Sequence, residues 1–456
     1  MTEAPTPAPA PDPEALLRSR SFIVVLVLAA IVGLFVSFAS WAFLELIHQV
    51  QVGVFTDLPD RLGLDGVPSW WYLLVLGLAG LPTAFAIVKL PGGGGHVPAN
   101  GLKVSSTEPN MVPGIALAAL ATLGLGLVLG PEAPLIALGG GLAVFAVKLA
   151  KKDAPPMLLT VLAAAGAFAA ISVIFGSPIV AAILVIEASG LGGATLPLIL
   201  IPGLMAAGIG SLVFIGMASW TGLSTSAYAL VPVHLTPFTR PTWEEIGWTI
   251  LIGIGAAALT VPIRHLGLAV AKLAPKKPFA LLPVVGLVVA GLAIAFDQIT
   301  GKGVNQVLFS GQDALPGFVE HAGAWSLGAL ALLFLCKGIA WGLCLGSFRG
   351  GPTFPAIFLG AVGGIAASHL PGMPATAGVA VGMGAMVVAF LKLPLSAVVI
   401  ATALTLTGGA SLIPLIIVGV VVAYIGTLAL EGRLGSDPDP APSPTPGPPG
   451  GAPAAT

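Results

Sequence analysis

Leu129-Gly130-Pro131-Glu132-Ala133-Pro134-Leu135-Ile136-Ala137-Leu138-Gly139 places a carboxylate between two prolines at the head of an apolar run that reaches about residue 150. Glycine and proline immediately before such a run mark a helix N-terminus. The first-turn N–H groups have no partner within the helix, and together with the positive end of the helix dipole they attract an anion. A carboxylate at that place in an apolar region is costly, and it competes with an incoming anion for the same N–H groups. Glu132 is therefore expected to be a gate that swings out when protonated; the plainer alternative is a capping carboxylate with no role in transport.

The same punctuation recurs at Gly92-Gly93-Gly94-Gly95-His96-Val97-Pro98 and at Gly350-Gly351-Pro352-Thr353-Phe354-Pro355. Each is expected to begin a helix. Partial charges at helix ends hold a dehydrated anion without the full positive charge that would bind it too tightly for release. The residues expected to form the anion site are Gly94, Gly95, His96, Val97 and Pro98, then Gly130, Pro131 and Ala133, then Gly351, Pro352, Thr353 and Phe354.

Around these breaks the chain is overwhelmingly apolar. Of 456 residues, 56% are hydrophobic and 8% charged, with mean hydropathy +1.03, which excludes a soluble enzyme, a secreted module and a nucleic-acid binder. At roughly 25 to 30 residues per span and connection, the chain holds on the order of 14 to 16 membrane segments. The apolar runs are uneven, and several have too few residues between breaks to cross about 30 Å of hydrocarbon. Proline and glycine inside them free backbone groups that lipid cannot satisfy, so the breaks must face protein or water. An all-α polytopic membrane protein with broken and re-entrant helices follows, its half-helix ends aimed at a midplane anion.

Two patterns recur in order. Pro134-Leu-Ile-Ala-Leu-Gly139 returns 221 positions later as Pro355-Ala-Ile-Phe-Leu-Gly360, and Phe175-Gly-Ser-Pro178-Ile-Val-Ala181 returns 216 positions later as Leu391-Lys-Leu-Pro394-Leu-Ser-Ala397. This is the trace of an internal duplication. The expected organisation is a disordered cytoplasmic segment over 1–19, a membrane domain over 20–432 with repeats of about 20–218 and 243–432, and a disordered Pro-rich tail over 433–456. Arg18 and Arg20 before the first apolar run argue for a cytoplasmic N-terminus.

Cys336 and Cys344 offer neither a metal set nor a disulfide framework and read as small core residues. An intramembrane enzyme is the alternative class. It lacks support because H-E-x-x-H and G-x-S-x-G are absent and the six histidines are scattered, so no enzymatic activity and no cofactor are expected. Lys337, Arg349 and Lys392 either raise the potential along an anion route or snorkel to headgroups, and Arg349 is the best placed. Asp297, Asp313, Glu45 and Arg264-His265 are expected at membrane interfaces. Glu187, ending an apolar run, is a candidate for a proton path or a group facing water.

Taken together, the chain resembles the CLC chloride channels and chloride/proton antiporters across about residues 20 to 430. Leu129 to Gly139 is similar to the family's G-[RK]-E-G-P segment, with Glu132 on the gating glutamate. Gly350 to Pro355 is similar to G-G-x-F-x-P, Gly94 to Pro98 to G-S-G-I-P, and Phe175 through Glu187 to F-N-A-P-L-A-G-x-x-F-x-x-E-E. The resemblance implies two inverted repeats of broken helices and a homodimer with one anion pathway per subunit; because the Pro-rich tail is short and structureless, no paired nucleotide-binding domains are expected after the membrane domain.

The departures are as informative. The family's central serine falls on Gly95 and its next glycine on His96; the motif phenylalanine falls on Thr353, or on Phe354 with a one-residue shift. Pro131 and Ala133 replace the arginine and glycine that flank the gating glutamate. The chloride-coordinating tyrosine has no counterpart after Leu428-Ala-Leu-Glu-Gly-Arg433. Of the paired inner acids the first is Glu187, and the one antiporters use falls on Ala188. The expected function is transport of chloride or a similar small anion, channel-like or loosely proton-coupled, with strict chloride/proton exchange and selectivity for fluoride or nitrate as alternatives. The expected partners are a small inorganic anion, the lipid bilayer and a second copy of the chain, with no nucleic acid. The expected location is the cell membrane, with both termini cytoplasmic.

Overall fold

The computed structural model describes residues 17–104, 107–190, 192–193, 196–223 and 230–434. The expected disordered ends therefore lie largely outside the described residues. Fourteen apolar runs become fourteen helices: α1 (Arg20–Val52), α2 (Ser69–Lys89), α3 (Val112–Gly124), α4 (Glu132–Ala150), α5 (Pro156–Phe175), α6 (Pro178–Ser189), α7 (Leu196–Thr221), α8 (Trp243–Leu273), α9 (Pro278–Thr300), then, after a short α10 (Ala314–Glu320), α11 (Leu327–Ser347), α12 (Thr353–Ala367), α13 (Ala375–Leu391), α14 (Pro394–Leu404) and α15 (Ile413–Leu434). Among the described residues, nine helical segments are long and apolar enough to cross a membrane, and α3, α6, α12, α13 and α14 are shorter apolar helices. The 12 residues of α6 cover only about 18 Å, so the expectation of broken helices holds. The 33 residues of α1 cover about 50 Å, more than the hydrocarbon thickness, so this helix inclines or extends beyond the hydrocarbon.

The two halves repeat each other's packing. α1 lies on α7 as α8 lies on α15, α4 on α5 as α12 on α13, and α5 on α7 as α13 on α15, while α2 meets its own counterpart α9 and α6 meets α14. Glycine permits the closest crossings. A Cβ on Gly139 or Gly166 would fall against the other residue's carbonyl in the α4/α5 pair, and Gly360 with Gly382 and Gly364 with Gly378 stand the same way in α12/α13. At the centre sit α5 and α13, apolar on every side, and every α13 residue from Thr376 to Leu391 is buried.

The repeat also preserves backbone conformation. Gly176 ends α5 at φ 59° and Lys392 ends α13 at φ 58°, each just before the proline that starts the next helix. A left-handed lysine is unusual, and its side chain is held by Glu431, 2.7 Å from Nζ to Oε2. Glu431 also pairs at 2.5 Å with Arg264. Arg264 is therefore not the interface residue expected from sequence: it is buried in α8, where a carboxylate from the last helix meets it.

One expected helix start is absent. Gly92, Gly93, Gly94 and Gly95 all have positive φ, from 56° to 101°, which a right-handed helix cannot accommodate. The segment forms short 3-10 turns at Pro91–Gly94 and Pro98–Asn100. Any anion contact from Gly94 to Pro98 is therefore made by irregular backbone and side chains, not by a helix end.

Candidate functional site

The other two breaks meet. Gly130 N–H donates to the Gly351 carbonyl at 2.7 Å and Gly351 N–H to the Gly130 carbonyl at 2.5 Å, an isolated antiparallel bridge. The two glycines are 221 positions apart, the same offset that relates the first repeated pattern, so residues in equivalent positions pair. An antiparallel bridge has a local two-fold axis, as inverted repeats require at the point where they touch.

Beyond the bridge, α4 begins at Glu132 and α12 at Thr353. Thr353 N–H donates to Glu132 Oε1 at 2.5 Å, so the carboxyl group sits at the N-terminus of the helix in the opposite repeat. This is the position an anion would take. Glu132 is fully buried, and its Oε2 has no hydrogen-bond partner among the described residues. The space it fills exists because of glycine: a Cβ on Gly351 would coincide with the Glu132 carboxyl group, and one on Gly130 would meet Glu132 Oε2 and the Phe354 ring. Phe354 itself is buried and stacks on Phe175, with ring centroids 5.5 Å apart, so it forms the wall behind the Glu132 side chain.

Two cavities flank Glu132. One, of about 240 Å³, is lined by Pro131 and Leu129 together with His48, Gln51, Ser310 and Asp313. The other, of about 360 Å³, is lined by Ala133 and Pro134 together with Gly95, His96, Lys103 and Arg349. Because Pro131 faces one and Ala133 the other, Glu132 and the Gly130–Gly351 bridge form the partition between them.

Among the described residues, the titratable side chains lining the second cavity are all basic: His96, Lys103 and Arg349. His96 Nε2 lies 2.5 Å from the Gly101 carbonyl, which only accepts, so Nε2 carries a hydrogen. Arg349 is 8% exposed; its Nε donates to the Gly93 carbonyl at 3.3 Å and its Nη1 to the Phe348 carbonyl at 3.1 Å. The first repeat's break and the second repeat's arginine thus build one wall.

Lys337 does not snorkel to the headgroups. It is fully buried in α11, and its Nζ donates to the carbonyls of Gln306, Val307 and Leu308 at 3.1 Å and of Phe309 at 3.3 Å, 4.6 Å from the Phe358 ring centroid. The ammonium ties down the loop that carries Phe309 and Ser310 to the first cavity. Its sequence sign was a lone lysine in an apolar run; the four carbonyls lie about 30 residues upstream and leave no local mark.

Glu187 stands apart from the partition. It accepts from Leu395 N–H at 3.0 Å, Ser396 N–H at 2.7 Å and Ser396 Oγ–H at 2.6 Å, and so caps α14 across the repeat boundary. Of the residues singled out in the sequence, the structure brings Gly130, Pro131, Glu132, Ala133, Gly351, Thr353 and Phe354 together, sets Gly94, Gly95 and His96 on the second cavity, and leaves Glu187 at a helix junction.

The fold has counterparts among known proteins. The structure is similar to that of a slow cyanobacterial Cl−/H+ antiporter, with TM-score 0.73, 19% identity and coverage of 90% of this chain and 95% of the other. A CLC-type fluoride/proton antiporter is similar at TM-score 0.65 and 16% identity, over 88% of this chain and 95% of that one. In sequence, YfeO of Escherichia fergusonii, whose assignment to ion transport is itself inferred, is 28% identical over 364 residues, 78% of this chain and 82% of the relative. The family model described as voltage gated chloride channel matches residues 98–427, and the chain belongs to that family, the CLC proteins.

Proposed function

We propose that this multi-pass membrane protein transports chloride or a similar small anion between the two cavities, with Glu132 as the gate. The observation that carries this reading is the Glu132 carboxyl group seated on the Thr353 N–H, buried between a cavity reached through Pro131 and one reached through Ala133. In the closed arrangement the carboxylate occupies the helix end. A proton on the unpartnered Oε2 removes the charge that holds it there, the side chain swings out, and an anion takes its place. The α12 dipole and backbone N–H groups bind the ion weakly enough for passage.

Flux is channel-like or loosely proton-coupled in this reading. Its support is Glu187, whose two oxygens are both engaged as the cap of α14 and which has an alanine, Ala188, beside it. Strict chloride/proton exchange is the alternative, and the likeness to two proton-coupled antiporters favours it. The protein would act as a homodimer in the cell membrane with both termini cytoplasmic, and without enzymatic activity or a cofactor. The deciding experiment is chloride efflux from liposomes with simultaneous proton recording, for the native protein and Glu132→Gln.

A further inference from the structure

Arg349 has more donors than the protein uses. A guanidinium carries five N–H groups, and among the described residues only Nε and one hydrogen of Nη1 have partners, the Gly93 and Phe348 carbonyls. That leaves three, two of them on Nη2. The residue is more than nine-tenths buried, lines the second cavity, and has no carboxylate partner among the described residues. A buried charge in this condition is expensive unless a counter-ion meets it.

The surroundings specify the sign and the shape of that counter-ion. His96 and Lys103 line the same cavity and no acidic side chain among the described residues does, so the space is built for an anion. The guanidinium is fixed in plane, its stem packed by the left-handed glycine turn at Gly94 and its two bonded nitrogens held by carbonyls. A fixed planar fork matches two oxygens of a planar oxyanion, whereas a spherical halide meets one point of it at a time. The charge is also one-sided: Val128, 221 positions earlier, is the equivalent residue of the first repeat and is apolar.

We propose that Arg349 is a direct ligand of the transported ion and makes the pathway select planar oxyanions, with nitrate as the test ion, over chloride. This rests on the transport reading above and names the class of ion that the site prefers. The guanidinium receives the oxyanion from the second cavity, and the ion then moves to the α12 N-terminus when Glu132 withdraws. The orientation of the fork does the selecting, so the positive charge alone is insufficient.

The test uses the full chain in liposomes, measuring efflux of nitrate and of chloride for the native protein, Arg349→Lys and Glu132→Gln. Isothermal titration of detergent-solubilised native protein with sodium nitrate and sodium chloride gives a readout that needs no variant. The native protein is expected to pass nitrate faster and bind it more tightly, by about tenfold, the worth of one charge-assisted hydrogen bond. Arg349→Lys keeps the charge but loses the fork, and its nitrate-to-chloride flux ratio is expected to fall toward one. Native protein that prefers chloride in both flux and binding overturns the proposal, as does a ratio indifferent to Arg349→Lys, and in both cases the transport reading stands. No flux of either ion through the native protein, or flux unchanged in Glu132→Gln, overturns the transport reading itself.

Discussion

The carboxyl group of Glu132 accepts the backbone N–H of Thr353, the residue that occupies its own position in the other repeat, 221 places along the chain. The duplication thus supplies both halves of the proposed gate. One copy carries an acid at its helix start and the other copy leaves its helix start open to receive it. Replacing the acid or filling the space it occupies tests different parts of this arrangement.

Filling the space comes first. A Cβ on Gly351 would stand where the Glu132 carboxyl group stands, so Gly351→Ala expels the side chain from the α12 N-terminus without removing the acid. Losing one hydrogen bond to a charged group costs about 1.5 to 3 kcal/mol, a shift of roughly 10- to 100-fold toward the open gate. Anion efflux from liposomes should rise and lose most of its pH dependence. Unchanged efflux with the native pH profile would show that the seat of Glu132 is not the closed gate.

The pH dependence has a definite sign. In the proposed gate, deprotonated Glu132, which accepts the Thr353 N–H, competes with the anion for it, and protonation ends that competition. Flux through the native protein should therefore increase as pH falls and level off once the carboxyl group is protonated. In Glu132→Gln, where no proton can be gained or lost, the profile should be flat. A native profile that declines on acidification contradicts the gate.

Lys337 is expected to matter for stability and for the first cavity's wall. Lys337→Met keeps the bulk but leaves the carbonyls of Gln306, Val307, Leu308 and Phe309 without their shared donor. At least one or two buried acceptors then go unsatisfied, a loss of about 2 to 4 kcal/mol. Thermal denaturation in detergent should show a clear fall in Tm, and an unaltered Tm would mean that the loop is anchored by other contacts.

The two cations that share Glu431 lead to a contrast between variants. Glu431→Gln removes the carboxylate from Arg264 and Lys392 and is expected to destabilise the chain by about 3 to 5 kcal/mol. Lys392→Gly gives up one ion pair but relieves a left-handed backbone, restoring the residue type found at Gly176, so its net effect should stay within about 1 kcal/mol. Equal losses in the two variants would assign the effect to the ion pairs alone.

What could be read from the sequence was what leaves a local mark. Apolar runs between Gly/Pro breaks located the helices, since a helix needs a continuous stretch of chain and each break frees backbone groups that must go somewhere. Glu132 was legible because a carboxylate at a helix start stands out in an apolar region. The repeat offset was legible too, but not that Gly130 and Gly351 pair across it.

The rest depends on meetings between distant segments. Arg264 and Glu431 lie 167 residues apart and Glu187 and Ser396 209 apart, and nothing near either member announces the other. At Gly92–Gly95 the pattern of glycine and proline before apolar residues was misleading. Four consecutive glycines admit left-handed backbone as readily as right-handed, and the packing of Gly94 against Ala118 and the Arg349 stem favours the turn over a helix.

Whether Glu132 gates an anion pathway between the two cavities is decided by chloride efflux from liposomes containing the purified full chain, with proton uptake recorded in the same sample and repeated for Glu132→Gln. Native protein should release chloride with little or no uphill proton movement, and the variant should show altered, pH-independent efflux. Tight proton pumping that disappears in the variant would keep Glu132 as the gate and replace loose coupling with strict exchange. Chloride efflux identical in both proteins, or absent from the native one, would contradict the account.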